Sequence, residues 1–325
     1  MRKFPPFPPI ATRLLGLLSN EFVSMPELAE LIGSDPTFST RLLQCVNSAL
    51  FGLSYPMTDV LHALSILGLD RTRQLTVTLA TSTYSQGGLR TEEMRRSWEH
   101  SLATAILANE IAQGYGAFTD AAYAAGILHD IGRLGLLSIY PREYEQIIRD
   151  GCGRYLDLLD FEREQFGVDH AEAGRMLAER WGLPKDFQIV AGRHHDPCEG
   201  GETDLLRIVH VGCRMADCLG YGMIKTLAPL DFDTALAELP PLARSRVQVR
   251  PEQLRALVDA RIRLFDRVDE VKEATVVSEE ESPPDDGLPF EVKLERDPPP
   301  RFSSALLYIA VMVVVGLVLV LALTR

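Results

Sequence analysis

Seven residues spread between positions 100 and 217 carry side chains that ligate metal ions: His100, the adjacent pair His129-Asp130, His170, the adjacent pair His194-His195, and Asp217. They include five of the seven histidines in the chain. Imidazole and carboxylate donors suit a borderline or hard divalent cation such as iron, manganese or zinc. Each falls in a segment that reads as a helix, so any shared chemistry depends on helices converging.

Taken singly, each has a structural explanation. His100 lies mid-helix near Trp98 and reads as a satisfied core histidine. His170 follows Asp169, where capping accounts for polar residues. His194-His195 ends a helix, where cationic histidine suits the dipole. Asp217 sits among Val211, Met215, Ala216 and Leu219. His129-Asp130 is more telling. Neighbours on a helix point about 100° apart, so both face one ion only at a helix end or an inward corner. The pair follows the small, apolar run Ala121 to Leu128, which places it deep in a core, and a buried aspartate needs a partner or a metal. His62, on an apolar helix, and His210, seven residues before Asp217, are weaker candidates.

The elements that must position these residues are helical. Ser24-Met25-Pro26-Glu27 is a capping box with proline in the first turn. Asp35-Pro36 starts a second helix, Thr58 or Asp59 a third that stops at Gly68, and Asp70 a fourth that ends before Gly87-Gly88. A second group starts at Thr91, with helices to about Gly114, from Asp120 to Ile131, near 141–150 and 154–166, from Asp169 to Trp181, from Lys185 to His195 and from Asp204 to Leu219. Residues 221–270 read as accessory helices, the last from Pro251 to Val271. Strand-like alternation is absent.

With 325 residues, 46% of them hydrophobic, the chain has ample material for a core. A net charge of −12 argues against a nucleic-acid polymer as partner. The five cysteines, Cys45, Cys152, Cys198, Cys213 and Cys218, form no C-x-x-C pair and read as reduced thiols. The N-terminus lacks the apolar stretch of a signal peptide. Residues 271–301 are acidic and proline-rich and read as a disordered tether. Residues 302–324 carry no charge and are long enough to cross a hydrocarbon core of about 30 Å. A single tail-anchoring transmembrane helix is expected, with the N-terminal part in the cytoplasm at the inner membrane.

The order His … His-Asp … His … His-His … Asp resembles the HD superfamily of metal-dependent phosphohydrolases. The closer resemblance is to the HDOD family, the HD-related output domain of bacterial signalling proteins. It rests on Phe7-Pro8-Pro9-Ile10, Ser34-Asp35-Pro36, Arg41-Leu42-Leu43, Asn47-Ser48-Ala49, Leu67-Gly68, Ala125-Gly126 through His129-Asp130-Ile131-Gly132-Arg133-Leu134, Glu164 to Gly174, Trp181 to Pro184 and His194-His195. The resemblance implies an all-α, HD-like bundle in two contiguous halves, 1–88 and 91–220, within a domain over residues 1–220. It also implies a regulatory module that binds a signalling protein or a nucleotide.

The alternative is a metal-dependent phosphohydrolase acting on a nucleotide or cyclic dinucleotide. By resemblance, His100, His129, Asp130 and Asp217 would form one metal shell. Asp130 would bridge to a second ion held by His170 with His194 or His195, and Asp130 and Arg133 would be the catalytic residues. Two features depart from the catalytic HD-GYP branch, which hydrolyses cyclic di-GMP. No Gly-Tyr-Pro follows the His pair, and Arg133 stands where that branch usually has lysine.

Overall fold

Capping chemistry sets the helix boundaries much as the sequence implies. The computed structural model describes residues 9–18, 23–48, 51–53, 55–86, 91–151, 158–196, 203–224, 231–247 and 250–280, and among these there is no strand. The chain opens with α1 (Pro9–Leu18), α2 (Met25–Gly33), α3 (Pro36–Val46), α4 (Val60–Leu67) and α5 (Leu69–Gln86). The Ser24 hydroxyl accepts from Glu27 N while the Glu27 carboxylate takes Ser24 N, closing the expected box. Asp35 and Asp59 cap α3 and α4, and Gly68 ends α4 at φ 77°.

There follow α6 (Glu92–Tyr115), α7 (Thr119–Leu128), α8 (Ile131–Ile139), α9 (Pro141–Gly151), α10 (Leu158–Phe166), α11 (His170–Arg180), α12 (Lys185–Arg193) and α13 (Leu205–Ala216). A π turn, Asp217–Tyr221, closes α13, with Gly220 at φ 94°. The accessory segment adds α14 (Phe232–Leu236), α15 (Pro241–Arg246) and α16 (Pro251–Glu280).

The core centres on α6, which is buried almost all round from Met94 to Ala112 and packs against α7 and α13. The α6–α7 crossing depends on Gly126, where a Cβ would lie 2.6 Å from Ala105 Cα. Helix α5 packs on α7, and Thr78 Oγ1 meets Tyr123 OH at 2.8 Å across that contact. From the accessory segment, Phe265 stands edge-on to Trp98 with ring centroids 5.7 Å apart.

Two segments differ from the sequence reading. The helix expected over Asp120 to Ile131 ends at Leu128, and His129-Asp130 form a turn before a separate helix, α8. Gly132 reads as a stop, yet it lies inside α8, because a Cβ there would sit 2.0 Å from His170 O and 2.3 Å from Gly174 N. The glycine allows close approach of α8 and α11. Helix α16 also runs to Glu280, past Val271 where a disordered tether was expected to begin. No proline or glycine interrupts the chain between Pro251 and Pro283, so nothing in the local chemistry stops it earlier. The rest of the tether and the apolar stretch 302–324 lie outside the described residues. Among the described residues, no helix is long and apolar enough to cross a membrane.

Candidate metal centre

The α7–α8 turn supplies the centre's hub. Asp130 and His129 are fully buried there, and His100 from α6, His170 from the start of α11 and His194 just past α12 are buried around them. A carboxylate in such a place is costly unless compensated. Arg133, one turn along α8, compensates it: Nε donates to Asp130 Oδ2 at 2.8 Å and Nη2 to Oδ1 at 3.4 Å. Burial opposes ionisation of Asp130, but the charge of the Arg133 guanidinium, the strongest opposing influence, holds the carboxyl well below its usual range.

The imidazoles share one orientation. His129 Nδ1 donates to Gly126 O at 2.6 Å, His194 Nδ1 to Ala191 O at 3.1 Å, and His100 Nδ1 to Tyr221 O at 3.1 Å. His170 Nδ1 donates to Glu162 Oε2 at 2.6 Å. A proton on Nδ1 leaves a lone pair on Nε2, and all four Nε2 atoms converge on Asp130. Three lie 3.3–3.7 Å from a carboxylate oxygen and His129 Nε2 lies at 3.8 Å. Burial, the largest influence, holds His129 well below the ordinary imidazole range and lowers His194 as well. This corrects the reading of His194 as a cation serving a helix dipole.

Two groups of donors emerge, each with ligand atoms within 4.8 Å of one another: Asp130 with His170, His194 and His195, and His100 with His129 and Cys213. His195 is the exposed member of the first, with Nε2 2.9 Å from His170 Nε2. The donor set fits a divalent cation on a direct criterion. His129 Nε2 and His194 Nε2 are buried acceptors with no hydrogen-bond partner, and orphaned acceptors at a convergence of imidazoles are what a bound cation satisfies.

Asp217 is not part of either group. Its Oδ1 lies 3.6 Å from His100 Nδ1, the ring nitrogen turned away from Asp130, and its side chain is 49% exposed. The reason is helical register: Asp217 opens the π turn that follows α13, one turn beyond Cys213 and about 6 Å further along the axis, where its side chain meets solvent. The residue that reaches the centre is Cys213, its Sγ 3.5 Å from His100 Nε2.

Sequence reasoning passed over Cys213 and Glu162. A signal for the first existed, because Cys213 shares a face with Asp217 at i, i+4. Glu162 gave none, since an acidic residue in Leu158–Phe166 reads as a solvated face. It is in fact buried, accepting from His170 N at 2.7 Å, from His170 Nδ1 and from Tyr144 OH. His210 does not ligate either. It lies between His194 O, 2.6 Å from Nδ1, and the Glu238 carboxylate, 2.8 Å from Nε2, and so braces the turn that carries the His pair. His62 is exposed on α4.

The class defined by fold and site is an all-helical HD-like domain with a buried His/Asp centre. The HDOD domain family model matches residues 4–197. The chain belongs to the HDOD family. An HDOD domain protein of unknown function from Geobacter sulfurreducens has a solved structure with a TM-score of 0.67 and 25% identity, covering 83% of this chain and 93% of that one. Two further solved structures share the fold. A proposed phosphohydrolase from Shewanella amazonensis SB2B has TM-score 0.59 at 21% identity, covering 81% of this chain and 94% of that one. A proposed signal transduction protein from Marinobacter aquaeolei VT8 has TM-score 0.57 at 20% identity, covering 83% and 59%. An uncharacterized protein of Treponema pallidum (strain Nichols) is 27% identical over 194 residues, 58% of this chain. The match spans only 37% of that relative's own length.

Proposed function

We propose that this chain is a signal-transduction module that binds a partner protein or a nucleotide, not a turnover enzyme, and that it works at the inner membrane through residues 302–324. One observation carries the reading against catalysis: Asp130, the hub a phosphohydrolase would need, is fully buried and already paired with the Arg133 guanidinium. The surface cleft of about 370 Å³ that includes Gly68, Arg71, Glu110 and Arg261 is lined by none of the seven candidate residues. A buried carboxylate already paired with a guanidinium suits a fixed structural centre better than an exchanging active site.

The phosphohydrolase reading keeps one observation in its favour. The unpartnered Nε2 atoms of His129 and His194, with Asp130, would hold a divalent ion, and such an ion supplies Lewis-acid polarisation of a phosphoryl oxygen. In that case Arg133 Nη1, buried and without a partner, is the donor a phosphoryl oxygen would meet.

The two readings separate in an assay of the purified protein with cyclic dinucleotides and nucleotide phosphoesters, in manganese, iron(II) or zinc. The module reading expects no turnover above background. Metal-dependent turnover that disappears in Asp130→Asn would overturn it. Membrane attachment is tested separately by fractionating cells that express the whole chain or a chain ending at Arg301. The whole chain is expected in the membrane pellet and the shorter one in the supernatant.

A further inference from the structure

We propose that the centre takes one divalent ion, not two, with the sulfur of Cys213 as a ligand beside His100, His129 and Asp130, and with the Arg133 guanidinium standing in the place of a second ion. The inference concerns this chain's donor set. It rests on the metal-capable centre described above and not on whether the protein turns over a substrate.

Distances favour the His100 side. A tetrahedral ion bonded at about 2.0–2.1 Å to nitrogen or oxygen and about 2.3 Å to sulfur holds its ligand atoms about 3.3–3.6 Å apart. His100 Nε2 lies 3.5 Å from Cys213 Sγ and 3.7 Å from Asp130 Oδ2, and His129 Nε2 lies 3.8 Å from Asp130 Oδ2. Small side-chain shifts close that geometry. Both imidazoles are held through Nδ1 by backbone carbonyls, Tyr221 O and Gly126 O, so the ligating nitrogen is already the inward one. His129 Nε2 is fully buried and unpartnered, an independent sign that something belongs beside it. Asp130 Oδ2 accepts Arg133 Nε and retains a lone pair.

The other side is already filled. His170 Nε2 has one lone pair, and it faces Arg133 Nη2 at 2.9 Å and His195 Nε2 at 2.9 Å. An ion among Asp130, His170, His194 and His195, a group that reaches the surface at exposed His195, would stand next to the fixed positive charge of buried Arg133 and be repelled by it. The guanidinium therefore does electrostatically what a second cation would do: it neutralises Asp130 and engages His170.

Uptake of the ion displaces the Cys213 thiol proton to solvent, and a sulfur donor shifts preference from manganese or magnesium toward zinc. Cobalt(II) then serves as the probe. The full-length protein, stripped with chelator and titrated with cobalt(II), is expected to bind one equivalent and to show a sulfur-to-cobalt charge-transfer band in the near ultraviolet. Cys213→Ser is expected to lose that band and to weaken cobalt binding by ~10-fold or more. Arg133→Met, which removes the charge at similar volume, is expected to take up a second equivalent. If Arg133→Met does not fold, the wild-type stoichiometry decides that part.

Two equivalents in the wild type would overturn the role of Arg133. A wild-type spectrum without the band, or one unchanged in Cys213→Ser, would overturn Cys213 as a ligand. No uptake of cobalt or zinc would overturn the proposal as a whole. Each of these outcomes is independent of the phosphoester assay.

Discussion

The two sides of Asp130 are built from the same residue types and end in opposite states. Toward α6 and α13, His100, His129 and Cys213 crowd together with no cation among them, and His129 Nε2 has no partner. Toward α11 and α12, His170 is spanned by Glu162 on one ring nitrogen and by Arg133 on the other. A single guanidinium, placed one helical turn from the aspartate, makes the difference. Ligand-type residues in the right order therefore do not by themselves define a binuclear site, because a neighbouring cation can settle half of it.

Breaking the hub has the largest expected effect. Asp130→Ala leaves Arg133 buried without its counter-charge, and removing one partner of a buried pair costs about 3–5 kcal/mol. Urea unfolding of the variant is expected to show that loss. A change under 1 kcal/mol, set against the lower end of that range, would mean the pair is far more solvated than its burial implies.

Gly132→Ala tests the spacing that brings Arg133 to His170. Its Cβ would collide with the α11 backbone at His170 and Gly174, and a loss of about 3 kcal/mol or more is expected. Ser138→Ala, on the same helix but half-buried with its hydroxyl on Leu134 O, serves as the mild comparison.

A graded effect separates the buried imidazoles from the buried carboxylate by pH in metal-free protein. His129 and His194 have folded pKa values below the ordinary range. The unfolded chain thus binds more protons in acid, and the stability these residues give is complete above about pH 6.5 and declines as pH falls below it. Asp130 is also depressed, but its contribution persists until the pH drops below about 3.9. The melting temperature is expected to fall in two stages, the first beginning below about pH 6.5 and the second below about pH 3.9. A flat profile across that first window would contradict the buried, neutral imidazoles.

The smallest expected effect is at an arginine of similar chemistry outside the core. Arg175 pairs with Glu172 and Glu179 on the surface of α11, and Arg175→Ala is expected to change stability by only about 0.5 kcal/mol or less. If it cost as much as Asp130→Ala, burial would not be what distinguishes the Asp130–Arg133 pair.

Much of the fold was legible because it depends on local rules. Ser24, Asp35 and Asp59 announce helix starts by their side-chain oxygens, and Gly68 announces a stop by its freedom at positive φ. The break at His129-Asp130 was harder to read, because Gly132 gives the same local signal whether it ends a helix or lets two helices touch. Of the candidate donors, six of the seven converge and Asp217 does not. Cys213 was hidden by chemistry that looks ordinary: a single cysteine on an apolar helix face reads as core.

The sequence by itself determined the helical class, the family and the histidines and aspartate that meet at the centre, since periodicity, caps and residue order are properties of the chain. Only the tertiary structure decided which ring nitrogens face inward, that Cys213 and not Asp217 reaches the cluster, and that Arg133 occupies one side. Those outcomes depend on the depth and rotation of α6, α8, α11 and α13 against one another. A shift of one helical turn, about 5.4 Å, exchanges a ligand for a surface residue, and no local pattern fixes that register.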